Sequence, residues 1–194
     1  MIIPKENIIY SYNDYLSWPD DERWEIIQGI PVSMSPAPST NHQSVSGELF
    51  FILKDYFKDK DCSVFIAPFD VRLSENLSSE SSILNVVQPD IAIICDKNKI
   101  DKKGCLGSPD MVVEVISPGS ALMDYKTKLN LYEKFKIKEY WIVNPSEKIV
   151  HIYILSGIEY KKPEVFSEED IIRLGIFPDC EIRLENVFKN LITG

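Results

Sequence analysis

Apolar and polar positions alternate along this chain with two periods, and each period predicts an element. A short helix is expected over Tyr12–Trp18, stopped by Pro19. Two strands follow, Arg23–Ile27 and Ile30–Met34, joined by Gln28-Gly29, a dipeptide able to take the positive φ of a tight hairpin. Ser35-Pro-Ala-Pro-Ser-Thr-Asn41 reads as a rigid, non-regular connection. From Asn41 to Phe57 the apolar residues Val45, Leu49, Ile52, Leu53 and Tyr56 recur at helical spacing, and Ser39, Thr40 or Asn41 can cap the first turn.

The middle of the chain is β-rich. Ser63–Ala67 and Asp70–Leu73 read as strands split by Pro68-Phe69, Leu77–Ser82 as a polar loop, and Val86–Cys95 as one strand with an apolar end. Asp96–Gly107 reads as a charged loop with a partial helical turn. Met111–Ser117 (MVVEVIS) is nearly continuous in apolar residues, the mark of a strand buried on both faces. Pro118-Gly119 breaks the chain before a helix from Ala121 to Phe135. Glu139–Val143 and Ile149–Leu155 are strands joined at Asn144-Pro-Ser146, and short strands are expected at Ile158–Lys161, Glu164–Phe166 and Cys180–Leu184. This order predicts an α/β (α+β) fold: a mixed central sheet flanked by helices, with an N-terminal hairpin and extra C-terminal strands. The whole chain, 1–194, reads as one domain.

Charge narrows the function. The 194 residues carry 21 Lys and Arg against 30 Asp and Glu, a net charge of -9. This argues against a protein that coats nucleic acid or anionic membrane, though not against an enzyme that grips nucleic acid locally. No apolar run approaches the ~20 residues of a membrane span. The start, MIIPKENIIYSYNDY, lacks the basic-then-apolar layout of a secretion signal, so a cytoplasmic protein is expected. Cys62, Cys95, Cys105 and Cys180 form no C-x-x-C pair and are expected as reduced, buried thiols. With two histidines, His42 and His151, an all-histidine metal centre is excluded.

Several charged residues do not belong to the pattern around them. Glu114 interrupts MVVEVIS, and an ionised carboxylate buried there needs a partner or a metal. Pro89-Asp90 opens another apolar strand. If the two strands are neighbours, Asp90 and Glu114 converge, and two such charges at ~4 Å repel by about 4 kcal/mol at an effective dielectric of 20. Magnesium removes that repulsion, because it favours one or two carboxylates together with waters and a substrate phosphate. Asp110 lies roughly 13 Å from Glu114 along an extended strand, so it reads as a strand-opening residue. In the following helix Asp124, Lys128 and Tyr132 share one face, and the helix must fold back near the end of the Glu114 strand. The bland reading of that face is a solvated set of salt bridges. Glu25, in the apolar strand RWEII, and His42, at a helix start, are weaker candidates for the same cleft. His42 reads first as a helix-start residue or the partner of a local carboxylate, and only second as a catalytic group.

These fragments together resemble the Uma-two family of restriction endonucleases, within the PD-(D/E)XK nuclease superfamily. The resemblance runs from about Tyr15 to Leu155 through RWEIIQGIPVSMSPAPSTNH, QPDIAII, PDMVVEVISPGS, DYKTKLNLY and KEYWIVNP, in that order. It implies a restriction-endonuclease-like core and Mg²⁺-assisted hydrolysis of DNA phosphodiester bonds, with Mn²⁺ as a substitute. By the resemblance Asp90 and Glu114 hold the ion, with the Val115 carbonyl. The superfamily's lysine position, two residues beyond the glutamate, is Ile116 here, which points to Lys128 on the next helix. Glu25, His42, Asp124 and Lys126 are accessory candidates. Asn144 and Gln28 stand where relatives often have aspartate.

Three readings therefore compete: a metal-dependent endonuclease, expected as a homodimer because two duplex strands need two active sites; a catalytically silent nuclease fold that binds or assembles; and a purely structural ion-pair network. Carboxylates facing an open cleft favour the first, and a sealed salt bridge favours the last.

Overall fold

The protein is described from a computed structural model, covering residues 8–19, 22–34, 37–76, 79–117 and 119–192. The first seven residues, Asp20-Asp21, Ser35-Pro36, Leu77-Ser78, Pro118 and Thr193-Gly194 lie outside them, and so do the parts of the sequence expectations that fall there.

The chain opens with the short helix α1 (Tyr12–Tyr15), capped by Ser11 and shorter than expected. The hairpin β1 (Trp24–Ile27) and β2 (Ile30–Ser33) follows. Its turn uses positive φ at Gln28 and Gly29, and a Cβ on Gly29 would stand 2.4 Å from Ile9. Helix α2 (Thr40–Phe57) starts where the Ser39 hydroxyl accepts from His42 N. It buries Val45, Leu49, Leu53 and Phe57.

Then come β3 (Ser63–Ile66), β4 (Val71–Leu73), β5 (Asn85–Val87), β6 (Ile91–Ile94), β7 (Ile100–Asp101), β8 (Gly104–Leu106) and β9 (Met111–Val115). Helix α3 (121–134) contains a π-helical segment, Met123–Lys128, that passes into α-helix at Leu129–Lys134. After it lie β10 (Glu139–Asn144), β11 (Ile149–Ser156), β12 (Glu159–Tyr160), β13 (Glu164–Ser167), β14 (Ile171–Arg173), β15 (Glu181–Arg183) and α4 (Leu184–Phe188).

The class is the expected mixture of helix and mixed sheet, but the strands divide between two large sheets and the small antiparallel pair β14–β15. One runs β2-β1-β5-β4-β8-β7. The other runs β12-β11-β10-β9-β6-β3, with β13 on β11. Within the second, β9 and β10 are parallel and β6 and β9 antiparallel. Its two faces are both covered. Val113 and Val115 face α2, α4 and the β14–β15 hairpin, whereas Val112 and Ile116 face α3 and the other sheet.

Three expectations are corrected. Val86–Cys95 is not one strand: β5 belongs to one sheet and β6 to the other, and Gln88-Pro89-Asp90 carries the chain between them. Proline has no N–H for a ladder, so the break falls there. The charged segment 96–107 contains its short helical turn, Lys97–Lys99, and also the unforeseen hairpin β7–β8. The third concerns the thiols. Cys105 and Cys180 are free and buried, but Cys62 and Cys95 form a disulfide. The antiparallel β3–β6 register pairs Ser63 with Ile94 and so brings the flanking cysteines face to face.

Candidate active site

The register of β6 against β9 places Ile91 opposite Val113, so Asp90 and Glu114 follow as the next facing pair. Asp90 is tied to that strand end, because its Oδ2 accepts from Val115 N at 2.8 Å. The same oxygen stands 3.1 Å from His42 Nε2, and His42 Nδ1 lies 3.4 Å from the Ser46 hydroxyl. Helix α2 thus orients Asp90 from its first turn.

Glu114 shares a face of β9 with Val112 and Ile116, and that face looks toward α3. Lys128 Nζ donates to Glu114 Oε1 at 2.9 Å, and Tyr132 Oη donates to the same oxygen at 2.6 Å. Lys128 also lies 2.9 Å from Glu25 Oε1 and 3.9 Å from Asp124 Oδ1. Glu25 Oε1 in turn accepts from Gln88 N at 2.8 Å, at the crossing between the sheets. Asp124 and Lys128 are the buried residues of the π-helical segment, the kind of local distortion that recurs at functional sites. The Asp124 carbonyl accepts from the buried Tyr140 hydroxyl at 3.1 Å.

Asp90, Glu114, Lys128, Glu25, Asp124 and His42 all line one cleft of about 400 Å³. The Val115 residue lines it too. Lys126 does not: it lies on the exposed side of α3. One helical turn separates Asp124 from Lys128 on the inner face, and the position between them must face outward. Asp110 stands at the far end of β9, where it accepts from Cys95 N at 2.8 Å and Lys138 Nζ at 2.6 Å. Ile116 is packed in the apolar cluster with Tyr132 and Ile142, so a lysine there would be buried among hydrocarbon. Asn144 serves its turn, accepting from Ser146 N and Glu147 N. Sequence reasoning gave Tyr132 no role beyond its helix face, and passed over Gln88. The first was visible as the next residue on the Asp124–Lys128 face; the second becomes visible only once Gln88 is known to lie where the chain changes sheets.

Four carboxylates against two cations, the buried Lys128 ammonium and Arg23, make this cleft anion-rich. Burial drives Glu114 well above the ordinary glutamate range; Lys128 pulls it back, and Asp124, Asp90 and Glu25 push it further up. Burial pushes Asp124 up to about 6, against the pull of Lys128. For Lys128, burial acts downward, but Glu114, Glu25 and Asp124 outweigh it and hold the ammonium above the ordinary lysine value. Lys128 is therefore charged, and the surplus is negative.

That surplus bears on a divalent cation. Among the described residues no three Asp, Glu, His or Cys side chains form a ready-made metal cluster. Two carboxylates on neighbouring strand ends are nonetheless a donor set that magnesium accepts, completed by water and phosphate. Asp90 engages the protein through Oδ2 and Glu114 through Oε1, so each has a second oxygen outside these bonds. The donor set fits.

The fold and this cleft define a restriction-endonuclease-like α/β protein. The chain belongs to the Uma2 family, described as "Putative restriction endonuclease", which matches residues 12–185. A solved structure of "a putative nuclease belonging to DUF820" from Anabaena variabilis superposes with a TM-score of 0.72 at 17% identity, covering 92% of this chain and 97% of that one. A Synechocystis protein described as "Uncharacterized protein slr1290" is 23% identical over 146 residues, 74% of this chain and 73% of that protein.

Proposed function

We propose that the cleft hydrolyses phosphodiester bonds in DNA with Mg²⁺, or Mn²⁺ in its place. The observation that carries this reading is the meeting of Asp90, Glu114 and Lys128, from the turn before β6, β9 and the π-helical segment of α3 respectively, in one open cleft. Asp90 and Glu114 would hold the ion, with the Val115 carbonyl. When bound, such an ion supplies Lewis-acid polarisation of the phosphate and a water of lowered pKa. His42 and Val115 N fix the Asp90 carboxylate. Tyr132 and Lys128 fix that of Glu114. Lys128 is held protonated, which suits it to orienting a nucleophile and stabilising developing negative charge rather than to taking a proton. Glu25 and Asp124 keep the ammonium in place.

Purified protein should cut DNA in the presence of Mg²⁺ or Mn²⁺. Asp90→Asn, Glu114→Gln and Lys128→Ala proteins that still melt cooperatively should lose that activity by about 10²–10⁴-fold, the scale of a positioned acid–base or charge-stabilising group. Variants that cut as fast as the parent would end the assignment.

One observation favours a catalytically silent nuclease fold in which these charges form a structural ion-pair network. Lys128 and Glu114 are each only 4% exposed, and the ammonium is already shared among three carboxylates. Calorimetric titration with Mn²⁺ separates the two readings: heat of binding lost in Asp90→Asn supports the enzyme, and no binding supports the silent module. Among the described residues no helix is long and apolar enough to cross a membrane. A cytoplasmic location and a homodimer that offers one site to each duplex strand complete the proposal. Light scattering that finds only monomer would remove the dimer.

A further inference from the structure

We propose that Arg23 is the substrate-phosphate receptor of this cleft, the guanidinium that takes a backbone phosphate beside the carboxylates. The identity of the substrate as DNA rests on the nuclease reading; the anion site itself does not.

The charge balance requires such a group. Among the described residues lining the cleft, the only Lys and Arg side chains are Lys128 and Arg23. Lys128 lies at the buried floor and is consumed by Glu25, Glu114 and Asp124. An approaching phosphate therefore meets four carboxylates and one cation that can still answer it.

Arg23 is placed for that task by the strand it precedes. Its backbone carbonyl accepts from Met34 N at 3.0 Å, which extends the β1–β2 hairpin by one step. Arg23 and Glu25 are two residues apart in extended chain, so their side chains leave on the same face. That face is the cleft wall.

The guanidinium is held but not neutralised. Nη2 donates to Gln88 Oε1 at 2.8 Å, an uncharged acceptor. Gln88 is itself pinned, its Nε2 donating to Asp70 Oδ1 at 2.9 Å and lying 3.3 Å from the Tyr15 hydroxyl. Its backbone N–H holds Glu25, so one residue locks the free cation to the Glu25–Lys128 cluster. Among the described residues Arg23 has no carboxylate partner, and its Nε is buried with no hydrogen-bond acceptor. A buried donor left unmade is costly, and native proteins keep few of them. A planar, pre-oriented fork with an unspent charge is the group suited to phosphate oxygens.

The alternative is a strut, in which Arg23 only clamps β1 to the crossing at Gln88. The two roles separate in the full-length protein. Binding of a fluorescein-labelled DNA duplex is followed by anisotropy with Ca²⁺ replacing Mg²⁺, for wild type, Arg23→Gln and Arg23→Lys. Line broadening of inorganic phosphate is followed by ³¹P NMR in EDTA for the same proteins. A phosphate receptor predicts that Arg23→Gln weakens duplex binding by at least about tenfold, the scale of one charge-assisted hydrogen bond. The salt dependence of log Kd should fall by about one unit, and Arg23→Lys should recover part of the loss. Melting should be no lower in Arg23→Gln, which discards an unpaired buried donor. Unchanged duplex affinity with a lowered melting temperature makes Arg23 a strut and overturns the proposal. Wild type that ignores DNA but broadens the phosphate line, with the broadening lost in Arg23→Gln, keeps the anion site and removes the nuclease reading. Wild type that binds neither probe overturns both.

Discussion

Two glutamates are buried in adjacent parallel strands, and their surroundings assign them opposite jobs. Glu114 on β9 is paired in register with Ile142 of β10, and Glu139 on β10 with Met111 of β9. Burial raises the pKa of both. Glu139, fully buried, is surrounded by neutral donors: Trp141 Nε1 at 2.7 Å, Ile176 N at 3.0 Å and the Gly175 backbone. Gly175 lies close in: a Cβ there would stand 3.3 Å from the Glu139 carboxylate and 2.6 Å from Ile154 Cδ1, the movable end of that side chain. Glu114 instead shares one ammonium with two other carboxylates and borders an open cleft. A buried carboxylate whose bonds are all local and neutral is a strut. One whose cluster carries surplus charge beside solvent is poised for a ligand that brings positive charge.

The largest break in this comparison comes from removing the shared cation. Lys128→Ala leaves Glu25, Glu114 and Asp124 facing one another without compensation, a loss of about 3–5 kcal/mol for a broken buried pair. Urea unfolding should show that loss in EDTA, together with the loss of DNA cleavage. A variant as stable as the parent would mean that the carboxylates take up protons or do not interact. Added Mg²⁺ should then recover more stability for wild type than for Asp90→Asn.

A smaller effect comes from making the same change at both glutamates. In Glu114→Gln the amide oxygen still accepts from Lys128 and Tyr132, and one surplus charge disappears, so stability should hold or rise while cleavage falls about 100-fold. In Glu139→Gln the amide turns an NH₂ toward a donor, Trp141 Nε1 or the Gly175–Ile176 backbone, which costs about 1–3 kcal/mol per unsatisfied group. Its cleavage per folded molecule should match wild type. If instead Glu139→Gln loses activity at unchanged stability, the division between the two glutamates is wrong.

The sequence made one of these glutamates legible and hid the other. Glu114 stood out because it interrupts a run that period and composition already marked as buried. Glu139 opens its strand, where a charged residue is unremarkable, and its backbone donors come from Gly175 and Ile176, more than thirty residues on. The same contrast holds for the fold. Helix α2 was readable from its apolar spacing and its serine cap. The crossing at Gln88-Pro89-Asp90 was not, because two short apolar runs, Val86-Val87 and Ile91–Ile94, flank it closely enough to read as one strand although they lie in different sheets. The β14 strand and α4 were missed because their burial is set by packing on α2 and β9 rather than by local pattern. The Cys62–Cys95 disulfide needed the β3–β6 register. For the cleft, Asp90, Glu114 and Lys128 were readable as residues out of place, whereas Arg23 and Gln88 acquire meaning only through each other.

The smallest effect is a pH dependence at Asp124. Burial raises its pKa from 3.8 to about 6 in the folded protein, so the folded state binds this proton more tightly than the unfolded chain does. The resulting stabilisation is complete below the unfolded value and is lost as pH rises through about 6. Between pH 5 and 7 this one group should lower stability by about 1 kcal/mol. Glu114, Glu139 and Asp70 are also raised by burial and act with the same sign, so the informative quantity is the difference between wild type and Asp124→Asn. Urea midpoints in EDTA at the two pH values should show a shallower decline in the variant. Under the proposed metal binding, Mg²⁺ should flatten the wild-type decline, because a cation held by Asp90 and Glu114 would offset the charge that deprotonation creates. Equal slopes for the two proteins would mean that Asp124 titrates as an ordinary carboxylate, and that the cleft has no proton in reserve for a metal ion to displace.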